Sequence, residues 1–362
     1  AMVVALADDT PLMHEHRPHH RIGPRLSLPQ SCQLQRTSHI LLRLCHYLSL
    51  LLLLMDTIHA YYTAAAEVLS PLYERSEARE IARRLLEDAL GYSRSQLLVA
   101  DKDTLLPPHC RERLLQQLQA LGSGRPLQYV LGYAPFLQHS LYVAPGVLIP
   151  RPETEELVEL VLEEAARVGY HSFVDIGTGS GCIAYALAAG LPELQAAYAL
   201  ELSEGVSELS EEALQVAARN FDSLRSATGR TVQLYREDLF RLVQSAESPL
   251  PRGLDLIISN PPYIHPEEAA AMSPQVLEHE PHLALFAPET SPIAYYLALA
   301  RLVQQGYLRP GGSLWVELNP RYAEETLEAM RRIVGPEACT AELLRDLSGK
   351  LRFVHLRYSP QL

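Results

Sequence analysis

The most chemically specific stretch of this 362-residue chain is Asn260-Pro261-Pro262-Tyr263, directly after the apolar run Leu254-Asp-Leu-Ile-Ile-Ser259. An amide or aryl amine is a weak nucleophile because its nitrogen lone pair is delocalised. A site that transfers a group to such a nitrogen must orient the NH₂ and favour the charge that builds on it. The Asn260 side-chain oxygen can accept one N–H and the Pro261 carbonyl the other. Successive prolines fix φ and keep those acceptors still. Tyr263 offers a ring face to a planar substrate group. No general base is required early, so positioning and acceptor electrostatics carry most of the effect. The plainer reading is a proline-rich turn after a strand, and a glycine loop standing upstream in the right order argues against it.

That loop is Gly177-Thr178-Gly179-Ser180-Gly181, at the end of the run Ser172-Phe-Val-Asp-Ile176. Glycine lets the backbone turn tightly and lets a ligand approach the main chain. Position 182 is Cys, so the Gly-x-Gly-x-x-Gly spacing of a dinucleotide site is absent. Asp175, two residues before the first glycine, would repel a pyrophosphate but hold an ammonium, directly or through water. The pair suits the amino-acid end of S-adenosylmethionine. Glu201 ends the next apolar run, Ala196–Leu200, where an acid can accept both ribose hydroxyls. The motif Glu201-Leu-Ser-Glu204 recurs as Glu208-Leu-Ser-Glu211, which makes Glu208 a rival for that role. Asp238, after a third run, could bond an adenine amino group while Leu239 packs on the ring.

Elements must place these residues together. Apolar positions Ala78, Ile81, Ala82, Leu85, Leu86 and Leu90 predict a helix with Ser76 as its N-cap, and a further helix runs from about Pro108 to Leu121. A β-hairpin linker is expected over 133–150, around Ala144-Pro-Gly146. Beyond Pro150 and Pro152 strands alternate with helices: strands at 172–176, 195–201, 232–236, 254–259, 312–318, 339–344 and 351–358, and helices at 153–167, 181–190, 209–220, 292–306 and 322–334. This predicts an α/β domain with a parallel sheet covered on both faces, its last two strands pairing antiparallel. The expected division is a leader, 1–54; a helical domain, 55–132; the hairpin linker, 133–150; and a catalytic domain, 151–362.

Composition narrows the function classes. Lys plus Arg number 31 against 43 Asp plus Glu, a net charge of −12 that speaks against a nucleic-acid clamp. The five cysteines lack Cys-x-x-Cys spacing, so neither a disulfide framework nor a cysteine zinc site is suggested. The leader holds six of the 14 histidines and no Lys, and its positions 11–38 show no helical or strand period. Its apolar run ending at Met55 spans about 12 residues, short of the roughly 20 of a membrane span but of signal-peptide length. His14, His16, His19 and His20 lie in an unpatterned segment and mark no specific metal site. The leader is read as a disordered or non-functional extension, with Met55 the expected start of the functional unit.

The order Asp175-x-Gly-x-Gly-x-Gly181, Glu201, Asp238, Asn260-Pro-Pro-Tyr263 resembles class I methyltransferases that act on planar nitrogen. Four further stretches narrow the resemblance: Gly124-Arg-Pro-Leu-Gln-Tyr-Val-Leu-Gly132 with Phe136, Val147-Leu-Ile-Pro-Arg-Pro-Glu-Thr-Glu155, Glu280-Pro-His-Leu-Ala-Leu-Phe286 and Arg345-Asp-Leu-Ser-Gly-Lys350. From Met55 to its end the chain is similar to the HemK/PrmC family, the release factor glutamine methyltransferases. The resemblance implies a seven-stranded, Rossmann-like S-adenosylmethionine-dependent domain behind a helical domain that helps bind the protein substrate. It implies N5-methylation of the glutamine in the Gly-Gly-Gln motif of class I peptide chain release factors. Gly177, Thr178, Gly179, Ser180, Gly181, Glu201, Leu239 and Asn260 would contact the cofactor. Asn260, Pro261, Pro262 and Tyr263 would hold the glutamine, with Arg151, Glu153 and Phe136 beside it.

Two departures stand out: the repeated Glu-Leu-Ser-Glu lengthens the loop after the second strand, and Asn319 occupies a position where the family usually has Gly. The nearest rival function is glutamine methylation of a ribosomal protein. A DNA or ribosomal RNA amino-group methyltransferase would want a basic recognition surface. A non-enzymatic scaffold would not need an intact tetrapeptide. Glu278-His-Glu-Pro-His282 lacks His-Glu-x-x-His spacing, and no metal is expected. The resulting expectation is a monomeric cytoplasmic enzyme with a protein partner and neither membrane nor direct nucleic-acid contact.

Overall fold

The computed structural model describes residues 55–202, 208–245, 247–289 and 291–360. The leader, and residues 203–207, which include the end of the first Glu-Leu-Ser-Glu copy, lie outside the described residues.

Five helices come first: α1 (Ile58–Leu69), α2 (Arg75–Leu90), α3 (Arg94–Val99), α4 (Pro108–Gly122) and α5 (Leu127–Leu131). Thr57 caps α1, its Oγ1 accepting from the Ala60 N–H at 3.2 Å. Ser93 and Gln96 cap α3 reciprocally. Helix α2 buries Ala78, Ile81, Ala82, Leu85 and Leu86, and Leu90 is half-buried. The expected cap at Ser76 is not formed. The cap falls two residues earlier, at Glu74, which makes no side-chain bond, so α2 starts at Arg75 and Ser76 sits inside the first turn. Gly91, at φ +67°, ends the helix.

The hairpin pairs β1 (Tyr133–Phe136) with β2 (His139–Tyr142), Phe136 opposite His139. The pairing is shorter than the span expected, and 143–150 leave it without strand structure to lead into α6 (Pro152–Val168). Pro152 at the first helical position suits its fixed φ.

The remaining strands and α-helices are β3 (Ser172–Ile176), α7 (Cys182–Gly190), β4 (Ala196–Leu202), α8 (Glu208–Thr228), β5 (Gln233–Glu237), α9 (Leu239–Leu242), β6 (Leu254–Ser259), α10 (Pro274–His279), α11 (His282–Leu285), α12 (Ala294–Gln304), β7 (Leu308–Glu317), α13 (Ala323–Val334), β8 (Cys339–Arg345) and β9 (Leu351–Tyr358). The sheet order is β5-β4-β3-β6-β7-β9-β8, parallel except for β9, which runs antiparallel to both neighbours. Alternation along the strands feeds two cores. Val174, Ile176, Ile257, Leu314 and Val316 pack with α12 and α13, while Phe173, Leu256, Ile258 and Trp315 pack with α6, α7 and α8. Each such side chain, fully buried, contributes about 1.5–3 kcal/mol.

The chain leaves β3 toward β4 on one side and reaches β6 on the other, so the carboxyl ends of β3, β4 and β6 open a crevice where strand order reverses. The Ser259 hydroxyl donates to the Ile176 carbonyl at 2.6 Å and staples β6 to β3 beneath that crevice.

Candidate active site

The glycine loop is set by its backbone. The Gly177 and Thr178 N–H groups both donate to the Leu200 carbonyl, at 2.8 and 3.2 Å, which pins the loop to the end of β4. Gly177, Gly179 and Gly181 have φ of +76°, +53° and +79°, conformations that L side chains rarely adopt. A Cβ on Gly181 would also lie 2.8 Å from the Phe221 ring, whereas one on Gly179 would meet open space. Asn220 on α8 holds the loop from behind. Its amide donates to the Ser180 and Tyr142 carbonyls at 2.8 and 2.9 Å and accepts from the Tyr142 N–H at 2.8 Å.

One cavity is walled by Gly177, Thr178, Gly179, Ser180, Glu201, Asn260 and Pro262, with Arg151 and the α11 residues Leu283 and Ala284 across from them. An adjoining cavity is lined by Arg151, Asn260, Pro261, Tyr263, Met272 and Val276. Asn260 and Arg151 stand at the junction of the two. Arg151 is anchored by Glu280, whose carboxylate accepts from its guanidinium at 2.7 Å and from the Ile149 N–H at 3.1 Å. This gives the Glu280-Pro-His stretch a positional role. Among the described residues no group of His, Cys, Asp and Glu could hold a metal ion.

Beneath the tetrapeptide lies a polar chain that sequence reasoning missed. Asn260 Nδ2 donates to Thr154 Oγ1 at 3.0 Å, and Thr154 Oγ1 donates to Glu317 Oε2 at 2.8 Å. The Tyr263 hydroxyl donates to the other carboxylate oxygen, Glu317 Oε1, at 3.0 Å. Glu317 is fully buried. Its pKa is pushed up to about 7 by burial, against the pull of the Thr154 and Tyr263 hydrogen bonds and the Arg352 charge. Arg352 is held by Asp346, which also accepts from Ser348 and the Lys350 N–H, so the Asp346-Leu-Ser-Gly-Lys350 stretch serves this corner too. Asn319 joins from the end of β7: its amide donates to the Tyr263 carbonyl at 3.2 Å and to Glu268 at 2.8 Å. The departure from glycine there adds a clamp on the tetrapeptide.

Glu201 Oε2 accepts from the Gly179 N–H at 2.8 Å. Burial pushes its pKa to about 7, the Gly179 N–H opposing and the Asp175 charge adding. Asp175 is fully buried under the loop. Its Oδ2 accepts from the Thr178 hydroxyl at 2.7 Å, Oδ1 has no hydrogen-bond partner among the described residues, and burial raises its pKa to about 7. The wall suits a cation-bearing nucleoside ligand: the Glu201 carboxyl at the loop, an open space above Gly179, and small residues and backbone around them, with Asp175 bracing the loop from below.

Not every expected residue reaches the cavities. Asp175 supports Thr178 from below rather than lining a wall. Gly181 starts α7 and packs on Phe221. Asp238 caps α9, its Oδ1 accepting from the Phe240 and Arg241 N–H groups at 2.7 and 3.1 Å, and Leu239 is buried in the core. Glu153 lies in the first turn of α6, outside both cavity walls. Phe136 needs correction: it is fully buried with Leu141, Leu157 and Phe173, because the hairpin turns its apolar face onto α6, and it offers no surface to a substrate. Nothing local in the sequence marked Thr154 or Glu317 as partners of Asn260. The only hint was that Thr154 lies in a stretch already singled out and Glu317 stands two residues before Asn319.

Comparison with known proteins gives two family models: the PrmC N-terminal domain over residues 62–132 and the methyltransferase small domain over 154–282. A release factor glutamine methyltransferase from Bacteroides thetaiotaomicron is 35% identical over 301 residues, covering 83% of this chain and 99% of the relative. One from Cereibacter sphaeroides is 35% identical over 281 residues, covering 78% and 91% respectively. A solved protein-(glutamine-N5) methyltransferase (release factor-specific) from Alicyclobacillus acidocaldarius is 24% identical, covering 61% of this chain and all of that one, at a TM-score of 0.34.

Proposed function

The chain belongs to the release factor glutamine methyltransferases, and from that premise we propose that it transfers a methyl group from S-adenosylmethionine to the side-chain amide nitrogen of the glutamine in the Gly-Gly-Gln motif of class I peptide chain release factors. The observation that carries this reading is Asn260 at the junction of two cavities, one under the glycine loop and one beside Pro261 and Tyr263.

Gly177 to Ser180 and Glu201 would hold S-adenosylmethionine, which supplies an electrophilic methyl on a sulfonium. The protein's own part is to present the acceptor nitrogen. Asn260 turns its NH₂ inward to Thr154, which leaves Oδ1 for one substrate N–H, and the Pro261 carbonyl takes the other. Among the described residues, no hydrogen bond uses either acceptor. On gaining the methyl, the acceptor nitrogen would gather positive charge, which the two acceptors would stabilise until one N–H proton left to solvent. Arg151, fixed by Glu280, stands where both ligands would meet and can hold an acyl oxygen of the substrate backbone or amide.

We read residues 55–132 as the part that recognises the protein substrate and 151–362 as the catalytic part. The net charge of −12 supports a protein rather than a nucleic-acid partner. No helix among the described residues is long and apolar enough to cross a membrane. The reading places the enzyme in the cytoplasm as a monomer, where its substrate works. Incubating the protein and S-adenosylmethionine with a purified release factor, then locating the methyl group by mass spectrometry, tests it; a purified ribosomal protein in parallel tests the nearest rival.

A further inference from the structure

We propose that Thr154 and Glu317 fix which end of the Asn260 amide faces the substrate, making them positioning residues for methyl transfer. The proposal rests on the methyltransferase reading above. An amide is nearly symmetric in shape, so the NPPY backbone alone does not choose between oxygen-out and nitrogen-out. The polar chain does choose. Ionised, Glu317 can only accept, so it commits the Thr154 proton to Oε2, and Thr154 Oγ1 is left with lone pairs toward Asn260. The Asn260 NH₂ must then point inward, because a flipped amide would set Oδ1 against Oγ1, two acceptors face to face. The inward NH₂ leaves Oδ1 outward, the orientation a substrate N–H needs. The second Glu317 oxygen takes the Tyr263 hydroxyl, so one buried carboxylate orients both ends of the tetrapeptide. Thr154 and Asn260 are 106 residues apart and Thr154 and Glu317 are 163 apart, so the fold alone assembles the chain.

The test is Thr154→Val against Thr154→Ser, with Glu317→Gln and Asn260→Ala as companions, in steady-state methylation of a release factor. Thr154→Val keeps shape but removes the acceptor, and kcat should fall on the order of a hundredfold, as expected for lost alignment. The KM for release factor and the Kd for S-adenosylmethionine should change less than threefold. Thr154→Ser restores the hydroxyl and should restore kcat to within a few-fold. Glu317→Gln, which can donate as well as accept, should lower kcat and flatten its pH profile near neutrality. A Thr154→Val enzyme with normal kcat, or a Thr154→Ser enzyme as slow as Thr154→Val, overturns the proposal. If Thr154→Val does not fold, Thr154→Ser and Glu317→Gln decide alone, and normal kcat with an unaltered pH profile in Glu317→Gln overturns it. Full activity in Asn260→Ala would instead sink the methyltransferase mechanism itself.

A different observation carries a second inference: we infer that a groove of the helical part docks an acidic, partly apolar segment of the protein substrate. Arg75 and Arg79 on α2, Arg94 on α3, and Lys102 line this groove with the three-quarters exposed Leu98, and Glu67 is the acid among its walls. Arg83 beside them is committed to Glu80 and Glu87, but the other four cations make no salt bridge among the described residues. In a chain of net charge −12, such a cluster selects against most of the molecule's own surface and for a negative partner. The double variant Arg75→Glu/Arg79→Glu should raise the KM for release factor about tenfold, leave kcat within twofold, and weaken the salt dependence of KM. An unchanged KM overturns the inference, as does an unchanged KM accompanied by loss of binding to an RNA oligonucleotide, which would assign the groove to nucleic acid.

Discussion

Asn260 is polarised by its neighbours: amide nitrogen to Thr154 within the protein, oxygen toward the cavities. Removing that oxygen by Asn260→Ala should lower methyl transfer about a thousandfold or more, with the circular dichroism spectrum and melting temperature close to wild type. Glu201, bonded to the Gly179 N–H, is the acid at the cavity wall. Isothermal calorimetry should therefore show Glu201→Ala weakening S-adenosylmethionine binding at least tenfold and Glu208→Ala by less than twofold; the reverse order would shift the ribose role into the second Glu-Leu-Ser-Glu copy. Asp175, Glu201 and Glu317 share a pH consequence. Burial lifts each to about 7, so the folded state binds protons that the unfolded state releases near its ordinary carboxylate values. Stability of the ligand-free protein should fall as pH rises through that window up to about 7. A cationic ligand beside Glu201 favours its ionised form, so S-adenosylmethionine should bind more tightly as pH rises toward 7, by up to about tenfold per unit. Calorimetry in buffers of different ionisation enthalpy should detect proton release on binding; proton uptake, or affinity flat from pH 6 to 8, would contradict this.

At the scale of elements, the site is made by joints between segments far apart in sequence. Asn220 ties α8 to the hairpin and the glycine loop through three hydrogen bonds. Asn220→Ala strands buried backbone groups and should destabilise the protein by about 2 kcal/mol, measurable by urea unfolding, while weakening cofactor binding. Strands β3 and β6 were legible in the sequence to the residue, because an apolar run ending at a glycine or a proline has little else to be. The short helices α9, α10 and α11 were not, since four to six residues carry no period to read. The glycine loop and tetrapeptide were legible because their chemistry is local. Thr154 and Glu317 were not, because only the fold brings α6 and the end of β7 under Asn260. Phe136 was misplaced for a related reason: an aromatic residue near a motif looks alike whether it lines a cavity or fills a core.

For the whole molecule, the described helices of the first part meet the linker and the catalytic part at defined points. The Tyr129 hydroxyl donates to the Val147 carbonyl at 2.5 Å, and Gln275 on α10 donates to the Tyr73 hydroxyl at 2.9 Å. Helix α10 also lines the cavity beside Pro261, so a substrate held by the helical part is held next to the tetrapeptide. The most direct test is to incubate wild-type and Asn260→Ala proteins with S-adenosylmethionine and a class I release factor, and to map the methyl group by tandem mass spectrometry. One methyl on the side-chain amide of the Gly-Gly-Gln glutamine with wild type, and none with Asn260→Ala, is the predicted result. An unmodified glutamine with wild type, or a methyl placed there equally well by Asn260→Ala, would contradict the account.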